Sequence, residues 1–213
     1  MATIVPWVQY FDQYTNKEVF EPADGDMAEL ISKTPEPWFP IAGFRRGQVR
    51  ATSIRYSVSK EDRELLQGTV GTRQEIVNPI IRKEGRGLVL FGQQTAARTP
   101  SSLDRINVRW TVNVIMNILD AVSQEFIFEI NDAILWREIE ATLNDTLKPI
   151  IARRGLQDAY VVIDATTTTP TDQDQLTVNA KLFIKPQRAA EFINYDLILT
   201  PSGADFADVI AAG

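Results

Sequence analysis

The sequence predicts an α+β domain in which a small mixed or antiparallel sheet is covered by two amphipathic helices. Three observations carry this expectation. Residues 101–155 hold two consecutive stretches with apolar side chains at helical spacing; residues 159–199 hold three half-polar strand-like stretches, the last two alternating; and Pro and Gly break the first hundred residues into short pieces. The 213 residues read as one domain, with an irregular part over 1–100, a regular part over 101–200 and a C-terminal arm over 201–213.

Pro35, Pro37, Pro40, Gly43 and Gly47 fall within thirteen residues and forbid a long helix there. Trp38, Phe39, Ile41 and Phe44 are interleaved with them, which predicts a connector wedged against the core by its aromatics. Ser59-Lys60-Glu61-Asp62 starts a helix, with a hydroxyl cap and an acid three residues on. Ile76–Ile81 and Leu88–Phe91 read as strands joined by a turn at Gly85 and Gly87.

Ser101-Ser102-Leu103-Asp104 is expected to cap a helix reaching Val122, with Ile106, Val108, Val112, Ile115, Ile118, Leu119 and Val122 as its stripe. The apolar link Phe126-Ile127-Phe128 follows, and Asn131 or Asp132 caps a second helix. Its stripe is Leu135, Trp136, Ile139, Leu143, Leu147, Ile150 and Ile151, and Arg153-Arg154-Gly155 ends it. Pro149 predicts a kink near Asp145. Strands are expected at Ala159–Ala165, Leu176–Ile184 and Phe192–Leu199, with a polar hairpin loop over Thr166–Asp172.

Composition narrows the chemistry. The chain has no Cys and no His, so it lacks thiol and imidazole nucleophiles, a Ser-His-Asp triad and the usual ligands for zinc, haem or iron–sulfur clusters. No cofactor is expected. Glu138 with Glu140, or Asp172 with Asp174, offer carboxylate pairs, but the first pair points to different helix faces and the second lacks a calcium-loop pattern. Lys83-Glu84-Gly85-Arg86-Gly87 is not followed by the Gly-Lys-Ser/Thr of a phosphate loop. The start has no secretory signal pattern and no stretch reads as a membrane span.

The net charge of −6 conceals blocks. Residues 1–36 carry −5, residues 37–60 carry +5, residues 61–185 carry −3 and residues 186–213 carry −3. Arg45, Arg46, Arg50, Arg55 and Lys60 make the basic block; it lacks the aromatic interleaving of a nucleic-acid platform, so no nucleic-acid partner is expected. Solvated charges are its plain reading. A patch that meets the acidic ends of another copy is its functional one.

Several stretches resemble the C-terminal region of contractile phage tail sheath proteins, most closely the T4-like type. They are Val5-Pro6-Trp7-Val8 with Asp12-Gln13-Tyr14, Gly25-Asp26-Met27-Ala28, Pro40-Ile41-Ala42-Gly43-Phe44-Arg45-Arg46-Gly47, Asn78-Pro79-Ile80 and Gly87-Leu88-Val89-Leu90-Phe91-Gly92. The series continues with Asp104-Arg105-Ile106-Asn107-Val108-Arg109, Phe128-Glu129-Ile130-Asn131-Asp132 with Trp136, Phe183-Ile184-Lys185-Pro186, Ile193-Asn194-Tyr195 and Ser202-Gly203-Ala204-Asp205-Phe206. Their order and spacing, more than any one of them, make the resemblance specific.

The resemblance implies a non-enzymatic protomer that polymerises helically around a tail tube and contracts to drive it through a cell envelope. It implies a virion component assembled in the host cytoplasm, partnered by itself, the tube, and baseplate and terminator proteins, without membrane insertion. It also implies a sheet edge completed by arms of neighbouring protomers, through the backbone pairing of β-augmentation. Expected inter-subunit residues are Arg45, Arg46, Arg50, Arg55, Ile193, Tyr195, Leu197, Asp205, Phe206, Asp208 and Val209; Arg105 and Arg109 are expected to face the tube or a neighbour. Arg109-Trp110 departs from the two arginines common in that family. Only three residues precede Ile4, where the family usually has a long N-terminal part, so the chain is expected to be a fragment or a minimal sheath. The alternatives are a tail-associated glycan hydrolase using a carboxylate pair, or the sheath of a tailocin or type VI secretion system.

Overall fold

The computed structural model describes residues 2–67, 76–97, 101–191 and 193. The elements are β1 (Thr3–Val5), β2 (Val8–Asp12), β3 (Lys17–Glu21), α1 (Asp24–Lys33), β4 (Gln48–Val49), β5 (Ser53–Ile54), α2 (Lys60–Gln67), β6 (Val77–Lys83), β7 (Gly87–Leu90), α3 (Ile106–Ser123), a 3-10 turn at Gln124–Phe126, α4 (Ala133–Ala152), β8 (Leu156–Val162), α5 (Pro170–Asp174) and β9 (Lys181–Pro186). The class is α+β, but the described strands form three sheets where the sequence led us to expect one. They are ordered β1-β6-β7-β4, β3-β2-β5 and β8-β9.

The first two sheets share a core of Val8, Ala23, Leu30, Ile41, Ile54, Ile80, Leu88 and Leu90. β6 is its centre: it runs parallel to β1, antiparallel to β7, and buries its first five residues. The turn after it places Gly85 and Gly87 at φ 70° and 76°, the left-handed region that glycine adopts at no steric cost. Buried Asn78 pins the sheet to the segment beyond β7. Its amide donates to the Thr3 carbonyl (3.2 Å) and the Gln94 carbonyl (2.9 Å), while its oxygen accepts from the Gln94 backbone (2.6 Å). α2 begins with the expected reciprocal cap between Ser59 and Asp62.

The second core joins α3 and α4 to the β8-β9 hairpin through Ile115, Leu119, Leu135, Trp136, Ile139, Leu143, Leu147, Ile150, Leu156, Val161 and Ile163. Trp38 from the Pro-rich connector completes it. Ile41, three residues later, is buried in the other core. The Trp38 indole donates to the Arg153 carbonyl (3.0 Å), and the Asn107 amide donates to the Trp38 carbonyl (3.0 Å). The aromatics wedge the connector as expected, and they do so between two cores.

Helix boundaries differ from expectation at α3, which begins at Ile106 and not at a Ser101 cap. A turn at Ser102–Leu103, closed by the Asp104 N–H to the Ser101 carbonyl (3.3 Å), comes first; Arg105 is then extended, pairing with Gln94, and the Asp104 carbonyl accepts from the Thr95 N–H (2.9 Å). The Ser101 hydroxyl instead accepts from the Leu103 N–H (3.2 Å). α4 starts as expected, with the Asp132 carboxylate accepting from the Ile134 and Leu135 N–H groups (both 2.9 Å). It continues through Asp145 and Pro149 to Ala152; the proline, which has no N–H to give the Asp145 carbonyl, lies in the final turn. Arg154 then takes φ 68°, its N–H bonds the Ile151 carbonyl (3.0 Å) and the Gly155 N–H bonds the Ile150 carbonyl (2.9 Å), a Schellman ending. A Cβ on Gly155 would lie 2.7–2.9 Å from Ile150 and the Trp38 ring, so the connector packs where only glycine fits.

Two further expectations are corrected. The polar loop over 166–172 contains α5, capped reciprocally by Thr169 and Asp172, and it buries Thr167 and Thr168. The strand expected from Leu176 begins only at Lys181, because Leu176 adopts φ 57° after α5 and projects into solvent. The strand expected over Phe192–Leu199 and the arm over 201–213 lie outside the described residues.

Candidate inter-subunit surfaces

β8 and β9 are each half apolar, and their pairing turns one face to the helices. Ala159, Val161, Leu182 and Ile184 pack inward on α3 and α4. Tyr160 and Phe183, opposite one another in register, project outward and are more than half exposed. Among the described residues this sheet has two strands only; on the β8 side the Asn144 side chain bonds the Val161 N–H (3.1 Å) and carbonyl (3.4 Å), which leaves β9 as the more open edge. The pairing slips between Leu156 and Asp158, and Lys185 Nζ lies 3.8 Å from the Asp158 carboxylate across the exposed face.

The basic block does not act as one patch. Arg45 is exposed, but Arg46 turns inward: its Nε donates to the Pro40 carbonyl (2.8 Å) and its guanidinium lies 5.0 Å from the Phe39 ring centroid. Burial, with the neighbouring Arg45 charge second, holds the Arg46 pKa below the usual arginine value. Arg50 Nε is 3.1 Å from the Glu29 carboxylate, and Arg55 sits 5.9 Å from the centroid of half-exposed Trp7. Arg50 and Arg55 keep most of their surface open to a partner as well.

The remaining expected residues separate in the same way. Ile193 is 70% exposed; Tyr195, Leu197, Asp205, Phe206, Asp208 and Val209 lie outside the described residues. Arg109 is exposed on α3. Arg105 is committed within the chain, with Nε and Nη2 donating to the two Glu191 carboxylate oxygens at 2.6 and 2.8 Å. Burial works against its charge, but the hydrogen bond to Glu191 and the Glu191 and Asp104 charges prevail and raise its pKa.

One surface escaped the sequence reading. Ile127, Phe128, Ile130 and Ile134, around the turn between α3 and α4, are all more than half exposed, and Phe128 is held at φ 75°. Leu176 joins them, because the Asn131 amide donates to the Thr177 carbonyl (3.3 Å) and the Gln173 amide to the Asn131 carbonyl (3.4 Å). The sequence marks Phe126-Ile127-Phe128 only as an apolar link and places Leu176 in a strand; the fold brings them together on one exposed surface.

No His/Cys/Asp/Glu cluster among the described residues can hold a metal ion. Asp172 accepts from Thr169, which holds its carboxyl below the usual carboxylate range, and the Glu140 carboxylate receives a 3.5 Å hydrogen bond from the Tyr160 hydroxyl. None of the described helices is long and apolar enough to cross a membrane.

No protein-family model matches the chain. Three curated relatives do, among them the tail sheath protein of Vibrio phage KVP40, 29% identical over 94% of this chain, and that of Enterobacteria phage T4, 30% identical over 93% of it. The chain spans 30% of the length of each of these two. Among solved structures, a subunit of the contracted PVC sheath complex, an extracellular contractile injection system, superposes with a TM-score of 0.79 at 19% identity, over 93% of this chain and 56% of that one. A chain of the anti-feeding prophage baseplate superposes equally well, at 0.79 and 18% identity, over 94% and 55%. The chain is thus homologous, along nearly all of its own length, to one region of the contractile phage tail sheath proteins that its sequence motifs resemble.

Proposed function

We propose that this chain is the core of a sheath protomer: copies polymerise helically around a tail tube, and the sleeve contracts to drive the tube through a host envelope. The observation that carries this reading is the match along 93–94% of the chain to proteins named tail sheath protein, together with the fold shared with contractile sheath subunits. The work is mechanical and the protomer is not an enzyme. The sleeve is a virion part, assembled in the host cytoplasm, and meets the tube, baseplate and terminator proteins at its inner face and ends.

The β8-β9 hairpin suits this role. Its β9 edge accepts an extended arm from a neighbouring copy, whose backbone N–H and C=O groups complete the sheet and keep the mesh connected while subunits slide. The segment after Thr200, with Phe206, Val209 and Ile210, is the donor arm. Arg45, Arg50 and Arg55 make exchangeable contacts to acidic ends of other copies, since exposed ion pairs are individually weak and readily replaced.

Electron microscopy of protein expressed from the complete reading frame tests the reading. Regular tubes or rings are expected, and a monomer that degrades cell-wall polysaccharide would overturn it. Neutralising Arg45, Arg50 and Arg55 together is expected to impair assembly or contraction; unchanged behaviour in both removes the basic block from the interface.

A further inference from the structure

After β9 the chain does not simply fray; residues 187–191 form a strap fixed at three points. The Gln187 N–H donates to the Gly155 carbonyl (3.2 Å) and the Arg188 guanidinium to the Ser102 hydroxyl (3.4 Å). The Glu191 carboxylate then receives both Arg105 bonds and a third from the Gln93 amide (3.1 Å). The Arg105 and Glu191 side chains are only 22% and 29% exposed, and Gln93 is buried. The strap covers a cleft of about 290 Å³ that it shares with Phe44 and Phe91, roofed by Ala189 and Ala190.

The socket that holds Glu191 is rigid because both cores build it. The Ile106 N–H, at the start of α3, bonds the Gln93 carbonyl (2.8 Å), and Arg105 pairs with Gln94, which Asn78 ties to β6. Arg105 Nη1 lies 3.3 Å from the Asp104 carboxylate, so two carboxylates flank the guanidinium. A planar two-pronged contact of this kind fixes direction as well as position, which a lysine ammonium does not.

We propose that the Arg105–Glu191–Gln93 socket is a clasp that sets the point and direction from which the C-terminal arm leaves the protomer, with Arg105 as its positioning residue. This rests on the reading of the chain as a sheath protomer. The 22 residues of this sequence beyond Glu191 span about 75 Å when extended. Opening the clasp leaves Gln187 and Arg188 held, moves the arm's origin back three residues, to Arg188, and enlarges the volume the arm explores. Its effective concentration at a neighbour's sheet edge falls accordingly. The clasp thus turns a loose tail into an aimed one without adding a contact at the interface.

The experiment compares Glu191→Arg, Glu191→Gln, Arg105→Lys and the swap Arg105→Glu with Glu191→Arg, all in protein from the complete reading frame. Three readouts are taken: thermal stability of the unassembled protomer, tryptic cleavage at the Arg188–Ala189 bond, and the fraction assembled into tubes. The single Glu191 variants are expected to melt with the unmodified protein, to be cut at least tenfold faster and to assemble at least fivefold less. The swap is expected to restore both in part, because its new carboxylate stands beside Asp104, and Arg105→Lys to retain them in part. Fast cleavage with normal tubes, or cleavage and tubes both unchanged, overturns the clasp. Absence of tubes from the unmodified protein overturns the sheath reading and the arm's role with it, an outcome distinct from failure of the variants alone.

Discussion

The two cores are built by opposite strategies. The helical core takes most of its side chains from α3, α4 and β8, which follow one another along residues 106–162, and buries the stripe that helical spacing dictates. The sheet core is assembled from strands two to seven residues long whose partners are remote; Thr3 pairs with Val77 and Gln48 with Val89. A core made of local periodicity declares itself in the sequence, whereas one made of distant pairings is held by a few polar pins and shared connectors. Damage to those pins should therefore be disproportionate to their size.

The sharpest way to break the contrast is Trp38→Ala. It empties a bulky site in the helical core, removes the bond to Arg153 and loosens the connector that carries Ile41 into the sheet core. A loss of about 3–5 kcal/mol is expected. Hydrogen exchange should show protection falling in both β6 and α4; a loss confined to α4 would mean that the cores are independent. Asn78→Ala comes next, at about 2–4 kcal/mol, because it strands the Thr3 and Gln94 backbone groups in a buried site. Chemical denaturation should register it as an early opening of β1 and β6.

Gly155→Ala is expected to cost about 1–3 kcal/mol, since the added methyl group meets Ile150 and the Trp38 ring below ordinary contact distance. Its effect should shrink in a Trp38→Ala background, where only the Ile150 contact remains, a double-mutant cycle that measures the connector's grip on α4. The smallest effect concerns the sheet core. Buried Asp26 accepts the Tyr10 hydroxyl; burial raises its pKa, the hydrogen bond partly opposes this, and the Glu29 and Glu21 charges add to the rise. Burial and the Asp26 carboxylate push the Tyr10 phenol above its usual range in turn. Because the folded Asp26 pKa lies above the unfolded one, the stability tied to its proton is present in acid and drains as pH rises through the folded value. Asp26→Asn should therefore gain on the unmodified protein as pH is raised from about 4. A pH-independent difference would remove Asp26 from the account.

Much of the helical half was legible beforehand. Asp132, the α4 stripe and the ending at Gly155 follow from spacing and capping rules that act within a few residues. β6, β7 and the turn between them were legible for the same reason, the glycines meeting positive φ. β1 to β5 were not, since strands of two to five residues leave too few alternations to read and draw their stability from partners far along the chain. The basic block was visible as charge, but the division between inward Arg46 and outward Arg45, Arg50 and Arg55 depends on where Pro40 and Phe39 sit in space. Arg105 was visible as part of a motif; its partner Glu191, 86 positions later, was not.

The sequence by itself determined the α+β class, the two amphipathic helices, the absence of thiol and imidazole chemistry, and a set of motifs whose order resembles contractile sheath proteins. These are properties of composition and of short-range periodicity, which no tertiary context can alter. Tertiary structure alone decided that the strands divide into three sheets, that Trp38 and Ile41 stitch two cores together, that Phe128 and Leu176 face solvent, and that Arg105 closes on Glu191. Each of these depends on which remote segments meet, and that is set by the joint burial of surfaces no local pattern describes.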